Sequence, residues 1–342
     1  MRRFQKSAII FLFCGIFGLC ACAKDFYVDV AIGDDVNPGT KKLPVKSLQR
    51  AASILRENTF NESVRFRIHP GIYIADSTIY WQSQSSFTQI NRLTIEAVTV
   101  PDDPNWIPEK MPVILSSATP QKGDTYTFEV ECSHTTIRGL RFLGNPSPTG
   151  HHACVSRLKE ALEDLVISQC VFVGAPDSAD IYCAALAAGD QFVIEHCVFL
   201  NCCASVVFWD GFQGRPSHRC AMRYCIVSNA RFSAVWTCQT DKDFEFHHNV
   251  ITTCNYFWLR KKGEPIVYSV GDTVLADNRH YSGYAIEAGP LGPTGPEIRF
   301  DETNVLKQED VTLNRDAKSR HYLQVASPPQ ARAIDAGLLT EK

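Results

Sequence analysis

Residues Ile167–Phe172 read ISQCVF, and Ile194–Phe199 read IEHCVF. The same apolar-x-x-small-x-apolar pattern starts again at Ile137 (IRGLRF), Met222 (MRYCIV), Phe246 (FHHNVI) and Val270 (VGDTVL). The lead residues are spaced 30, 27, 28, 24 and 24 residues apart. A fixed recurrence of this size is the mark of a repeat architecture. Within each unit apolar and polar residues alternate, the period of a half-buried strand. A short strand of this kind cannot bury its apolar side alone, but stacked units can. The fourth column (Leu140, Cys170, Cys197, Cys225, Asn249, Thr273) is then an internal ladder, with Asn249 bonding the backbone at a bend. The expected fold is all-β: a right-handed parallel β-helix, a solenoid with coils about 4.8 Å apart. A β-sandwich would need hairpin turns every 8–12 residues or so, and Asn-Gly and Asp-Gly are nearly absent.

The flanks fit the solenoid. Tyr27–Leu55 reads as a strand, a turn-rich loop and an amphipathic helix with Leu48, Ala51, Ala52 and Leu55 on one face. Such a helix would cap the open end. Val64–Ile74 reads as two strands broken at Pro70-Gly71, and 101–112 as a proline-rich loop. The N-terminus resembles an export signal, MRRFQK followed by SAIIFLFCGIFGL. Two processing readings stand. Ala21-Cys22-Ala23 fits cleavage before Lys24, the favoured one; Leu19–Cys22 fits a lipobox that would make Cys22 a lipid anchor at a bacterial surface. The domain plan is a signal peptide (1–23) and one β-helix domain (24–342). Its cap spans about 27–60, its clearest coils about 130–285 and its C-terminal segment 286–342.

Net charge is −3 and pI about 6.4, with no basic patch for nucleic acid. No second apolar stretch follows the signal, so no transmembrane segment is expected. Of fourteen cysteines, eleven follow the signal region. An odd number leaves at least one thiol unpaired. Those inside the repeat read as small buried hydrophobes. Only Cys202-Cys203 are adjacent and no CxxC occurs, so zinc is the weaker reading.

The segment from Tyr27 to Ala51, with its NPGT and SLQRA elements, resembles the entry of many secreted right-handed β-helix proteins. HPGIY (His69–Tyr73) resembles their first rung, and ARAIDAG (Ala331–Gly337) is similar to their closing motif. The resemblance covers most of the chain after the signal and points to the pectate-lyase-like superfamily. It implies a polysaccharide partner, and lyase, hydrolase or non-catalytic members of that superfamily are all consistent with it. LRKKG (Leu259–Gly263) resembles the LRHG segment of alginate and chondroitin lyases, which implies a catalytic role for Arg260. Those lyases place a lysine one coil earlier, near the register of Cys238 and Gln239 here, so the match is incomplete.

Three tryptophans lie about one repeat apart, in VFWDG (Val207–Gly211), VWTCQ (Val235–Gln239) and FWLRK (Phe257–Lys261). If Phe208, Val235 and Phe257 point inward, Trp209, Trp236 and Trp258 project outward as a ladder. Indole faces of that kind would suit a pyranose ring. Ordinary packing under a loop or under the C-terminal segment is the competing reading. Nearby chemistry includes Arg260, Lys261 and Lys262 as cations for a uronate carboxylate, and Asp210, Asp241, Asp243 and Glu245 as carboxylates for hydrolysis. His248 is a candidate base, or a metal ligand with His218 or His280. No cofactor is expected, although calcium sites in such folds can be assembled from distant coils. The expectation is an exported protein, secreted or periplasmic, that binds and in one version cleaves a polysaccharide; the alternative is a non-catalytic glycan- or protein-binding module.

Overall fold

The computed structural model describes residues 23–119, 123–146, 150–261, 263, 265–286, 293–308, 310–332 and 334–340. The signal segment, Cys22 and Lys262 lie outside the described residues. Strands pair in parallel from coil to coil along three faces. The first face includes Thr135–Arg138, Glu163–Ser168, Asp190–Glu195, Ala221–Arg223 and Glu245–His247. The second includes Arg141–Leu143, Val171–Val173, Val198–Leu200, Ile226–Ser228 and Val250–Thr252. The third runs through Thr125–Val130, His152–Arg157, Cys183–Ala187, Ala204–Phe208, Ser233–Thr237 and Tyr256–Lys261. Each coil visits the faces in that order, which is the topology of a parallel β-helix. The last coils depart from it, because His280–Ile286 pairs antiparallel with Pro293–Gln308.

The repeat register is the one read from the sequence. Ile137, Ile167, Ile194, Met222 and Phe246 are successive cross-strand partners, and His247 pairs with Gly271, next to Val270. The fourth-column residues, Leu140 through Thr273, are all fully buried. They sit just after a tight bend between the first and second faces. The residue before each of them is in the left-handed region: Gly139 (φ 72°), and the non-glycine residues Gln169 (φ 53°), His196 (φ 51°), Tyr224 (φ 55°), His248 (φ 55°) and Asp272 (φ 42°). That conformation is uncommon for such side chains and is imposed here by the bend.

Buried backbone groups at the bend need partners, and the fourth column supplies them. The thiols of Cys170, Cys197 and Cys225 donate to the carbonyls of Ser168, Glu195 and Arg223 at 3.2–3.3 Å. Asn249 accepts from the Cys225 N–H and donates to the Met222 carbonyl, both at 2.9 Å. Asn278 does the same at the next bend, with Cys254 N–H and Ile251 O. All eleven cysteines after the signal region are unpaired, and all but Cys203 are buried.

The interior is filled by ladders. Phe142, Phe172 and Phe199 stack at 5.1 and 4.9 Å with nearly parallel rings. Near the N-terminus a helix (α1, Leu48–Glu57) buries Leu48, Ala51, Ala52, Ile54 and Leu55 against strands of the first coils. Its cap follows from Ser47, whose Oγ accepts the Arg50 N–H at 3.0 Å.

One outer face is also buried. Val171, Val198, Ile226, Val250 and Val274 form a column on the outside of the second face. They pack with Leu323, Val325, Ile334 and Leu338 of the C-terminal segment and with Trp106 and Met111 of the proline-rich loop. The C-terminal segment therefore covers the second face.

Replacing Asn249 by alanine strands the Cys225 N–H and the Met222 carbonyl. The expected cost is about 1–3 kcal/mol for each group left unpaired, read from urea unfolding. Asn249→Cys should lose less, because a thiol already serves this column in the preceding coils.

Candidate functional site

Among the described residues the C-terminal segment packs on the second face rather than over the third, whose outer side carries aromatic residues. One outward column runs Tyr126, Ala153, Cys183, Ala204, Ser233, Tyr256, His280. The next runs Tyr80, Glu129, Ser156, Leu186, Val207, Trp236, Leu259, Tyr284. Ala153, Cys183, Ala204, Val207 and Cys238 form an apolar cluster separate from the interior, with Tyr126, Tyr182, Leu186, Trp209 and Trp236 packed over it. Phe212 is 81% exposed and sets its ring edge-on to Trp209 at 4.7 Å. Phe232 stands edge-on to Trp236 at 5.7 Å, and His151 lies stacked on Tyr182 at 3.9 Å.

The register overturns the tryptophan ladder. Val206, Val235 and Trp258 are partners, whereas Trp236 pairs with Val207 and Leu259. Trp258 is thus one position out of step with Trp236, and alternation sends it inward. It is fully buried among Phe244, Phe246, Tyr268 and Phe300, and its Nε1 donates to Thr237 Oγ1 at 2.8 Å. Trp209 lies just past the end of its strand, beyond Phe208. The three tryptophans occupy three different columns. Only Trp209 and Trp236, both half-buried, belong to the outer face.

Lys261 and Asp210 come together. Trp209, Cys238 and Lys261 follow Phe208, Thr237 and Arg260, which are partners in register. From there the Lys261 ammonium reaches back two coils to the buried Asp210 carboxylate at 2.7 Å. Gln239 donates to the same carboxylate oxygen at 3.0 Å. The hydrogen bond to Asp210 raises the Lys261 pKa, so this ammonium is a fixed cation rather than a base. Burial pushes the neighbouring Cys238 thiol up to about 12, which keeps it protonated. Arg260 is half-buried, pairs in register with Thr237 and Ala285, and is engaged in its own interactions.

His248 is not part of this site. It sits at the bend between the first and second faces, beside Tyr224 and Asp272. Its suggested companions lie elsewhere: His218 pairs with Asp241 at 2.6 Å, and His280 stacks on Tyr256 of the third face at 4.5 Å. Of the other carboxylates considered for hydrolysis, Asp241 is held by His218 and Glu245 by Arg223. Among the described residues no group of three or more metal-ligating side chains is assembled.

Two groups of the third face were given no role by the sequence reading, which left His152 in a Pro/Gly-rich loop, whereas it begins a strand. Glu129 is buried, accepting from the Ser156 hydroxyl and from the Leu158 N–H. Burial is the main cause that raises its carboxyl pKa. His152 is buried between the hydroxyls of Thr125 and Thr127, at 3.0 and 3.1 Å from its two ring nitrogens. The signal for Glu129 was a carboxylate in mid-strand in TYTFEV, flanked by apolar and aromatic residues.

Trp258→Ala should cost about 3–5 kcal/mol of stability, whereas Trp209→Ala should leave the unfolding midpoint close to that of the parent protein. His152 supplies a pH test. Burial lowers its pKa from the ordinary 6.5 to about 4. The unfolded chain therefore binds more protons than the folded one between those values, so stability falls as pH drops from 6.5 toward 4. Urea unfolding across that window should show the loss, and His152→Gln should flatten it.

The chain matches no protein-family model and no characterised protein by sequence. Among solved structures it aligns with the GH136 lacto-N-biosidase from Eubacterium ramulus at a TM-score of 0.53 and 11% identity, over 84% of this chain and 55% of that one. It also aligns with a rhamnogalacturonan lyase at a TM-score of 0.49 and 12% identity, over 87% of this chain and 84% of the other. The chain thus spans about half the length of the lacto-N-biosidase. At such identities the likeness is one of architecture: like the lacto-N-biosidase, this chain is a parallel β-helix.

Proposed function

We propose that this is an exported, carbohydrate-active member of the pectate-lyase-like superfamily that binds a polysaccharide along its third face. One observation carries the reading. The C-terminal segment packs on the second face, while the third face keeps Tyr80, Trp209, Phe212 and Trp236 at its surface. Half-exposed aromatic rings suit the apolar faces of sugars. Coils repeat every 4.8 Å or so, close to the rise of one sugar unit, so a glycan lying along the solenoid axis would meet an equivalent column in each coil. In the cleaving version, Arg260 and Lys261 at the edge of this face turn from their present partners, Asp210 among them, to neutralise a uronate carboxylate, which favours a lyase.

A specific observation favours the non-catalytic reading. Asp210 and Glu129 are only 3% and 4% exposed, and each is already bonded. A base must reach the proton that it abstracts, and neither carboxylate is open to a substrate. On this reading the same face binds a glycan without breaking it.

The deciding experiment incubates the purified protein with a panel of polyuronates and neutral glycans, with products read by mass spectrometry and binding by calorimetry. Unsaturated fragments that vanish in Arg260→Ala would establish the lyase. Fragments carrying an added water would establish a hydrolase and point to the carboxylates. Binding without fragments would establish the module. In every version Trp236→Ala should weaken binding roughly tenfold, the loss of a stacking contact worth about 1–1.5 kcal/mol; unchanged binding would remove the third face from the proposal.

A further inference from the structure

The capped end of the solenoid carries a second candidate surface. Strand Lys24–Val28 pairs on one side with Val64–Ile68. Its other edge is covered by the loop that follows it, residues 30–46. Tyr27 N–H donates to the Gly39 carbonyl at 2.7 Å, and Asp29 N–H to the Val45 carbonyl at 2.9 Å. The loop is knit together: Asp34 N–H and the Asn37 side-chain amide both donate to the Pro44 carbonyl, at 3.1 and 2.9 Å. A Cβ at Gly33 would lie 2.4 Å from the carbonyl oxygens of Asp29 and Val45, so the backbone closes there only with glycine.

This compact loop leaves its large apolar side chains in water. Ile32, Val36 and Leu43 are 73%, 87% and 51% exposed. Three of the nine exposed large hydrophobics among the described residues thus fall on one loop at one end of the molecule, a cluster rather than the single exposed side chains of an ordinary surface.

The charges of this end are sorted. Its carboxylates are spent on the loop's own backbone. Asp29 accepts from the N–H groups of Ala31 and Ile32 at 2.9 and 3.3 Å, Asp34 from Val36 at 3.1 Å, and Asp35 from Lys46 and Ser47 at 2.9 and 2.8 Å. Lys24, Lys41, Lys42 and Lys46 are exposed and, among the described residues, in no ion pair. The ammonium groups are therefore the charges free to take a partner. The sequence adds where a lipid would stand. On the lipobox reading Cys22 carries the anchor, and two residues reach about 7 Å at most, so strand Lys24–Val28 and its loop lie against the bilayer.

We propose that the cap loop docks on an anionic lipid surface, with Ile32, Val36 and Leu43 entering the headgroup layer and Lys24, Lys41, Lys42 and Lys46 on lipid phosphates. This rests on the export reading and on no residue of the third face. Docked by its cap, the solenoid stands on the membrane and carries the third face away from it.

Co-sedimentation with vesicles tests it, using the chain released by cleavage before Lys24, so that the loop is read without an acyl chain. Phosphatidylglycerol–phosphatidylethanolamine vesicles should bind it at least tenfold or so more tightly than phosphatidylcholine vesicles, and less as salt is raised. Replacing Ile32, Val36 and Leu43 together by serine should weaken this binding roughly tenfold or more, and so should Lys41→Gln with Lys42→Gln. Both variants should keep the parent unfolding midpoint and any glycan binding, and Trp236→Ala should bind vesicles like the parent, so this proposal and the third-face reading fail separately. No binding to anionic vesicles, equal binding to phosphatidylcholine, or undiminished binding in either loop variant would each overturn the proposal. A parent chain that dimerises, with a serine variant that does not, would assign the loop to a second copy and overturn it as well.

Discussion

Each coil of this protein has to return to within one strand spacing of where it began, and the tight bend between the first and second faces is what makes that closure work. The bend leaves buried N–H and carbonyl groups that no strand can pair. The chain answers with a left-handed residue followed by an inward cysteine or asparagine. Among the described residues these cysteines form no disulfide and join no group of metal-ligating side chains. They are small side chains whose thiols also satisfy nearby carbonyls. Because the same answer recurs in four successive coils, from Cys170 to Asn249, equivalent residues face each other, and the ladders of phenylalanine and isoleucine in the interior follow from it.

The same closure governs the outside. A side chain one position out of step passes from one surface of a strand to the other. Trp236 and Trp258 differ by one such step, and this alone separates a half-exposed ring on the third face from a sealed ring in the core. The interior at Trp258 widens into a cluster of aromatic rings that closes the last coils, where the parallel stacking gives way to the antiparallel pair at Pro293–Gln308.

Which outer surface stays open is set by the C-terminal segment. It lays Leu323, Val325, Ile334 and Leu338 over the valine column of the second face and finishes along the left-handed column beside it. The third face is left with its rings at the surface, and a groove at the bend is formed between this segment and the stacked rings of His196, Tyr224 and His248. The exposure of the third face is a consequence of where one apolar segment found its partner.

The repeat itself was legible in the sequence. Ile137, Ile167, Ile194, Met222, Phe246 and Val270 are cross-strand neighbours as their spacing implied, and Asn249 bonds the backbone from inside a bend. Strand period and the demand that buried polar groups be paired are local rules, so a single chain of letters carries them. The pairing of Asp210 with Lys261 was legible only as two charged residues in the same part of the repeat. The buried Glu129 and the partners of the C-terminal segment were not legible, and neither was the inward turn of Trp258. Each depends on register across coils of unequal length, which loops of different size between strands can shift by one residue without changing the hydrophobic pattern. The sequence by itself determined a stack of parallel coils; only the tertiary structure decided which side chains that stack seals inside and which it leaves to meet a ligand.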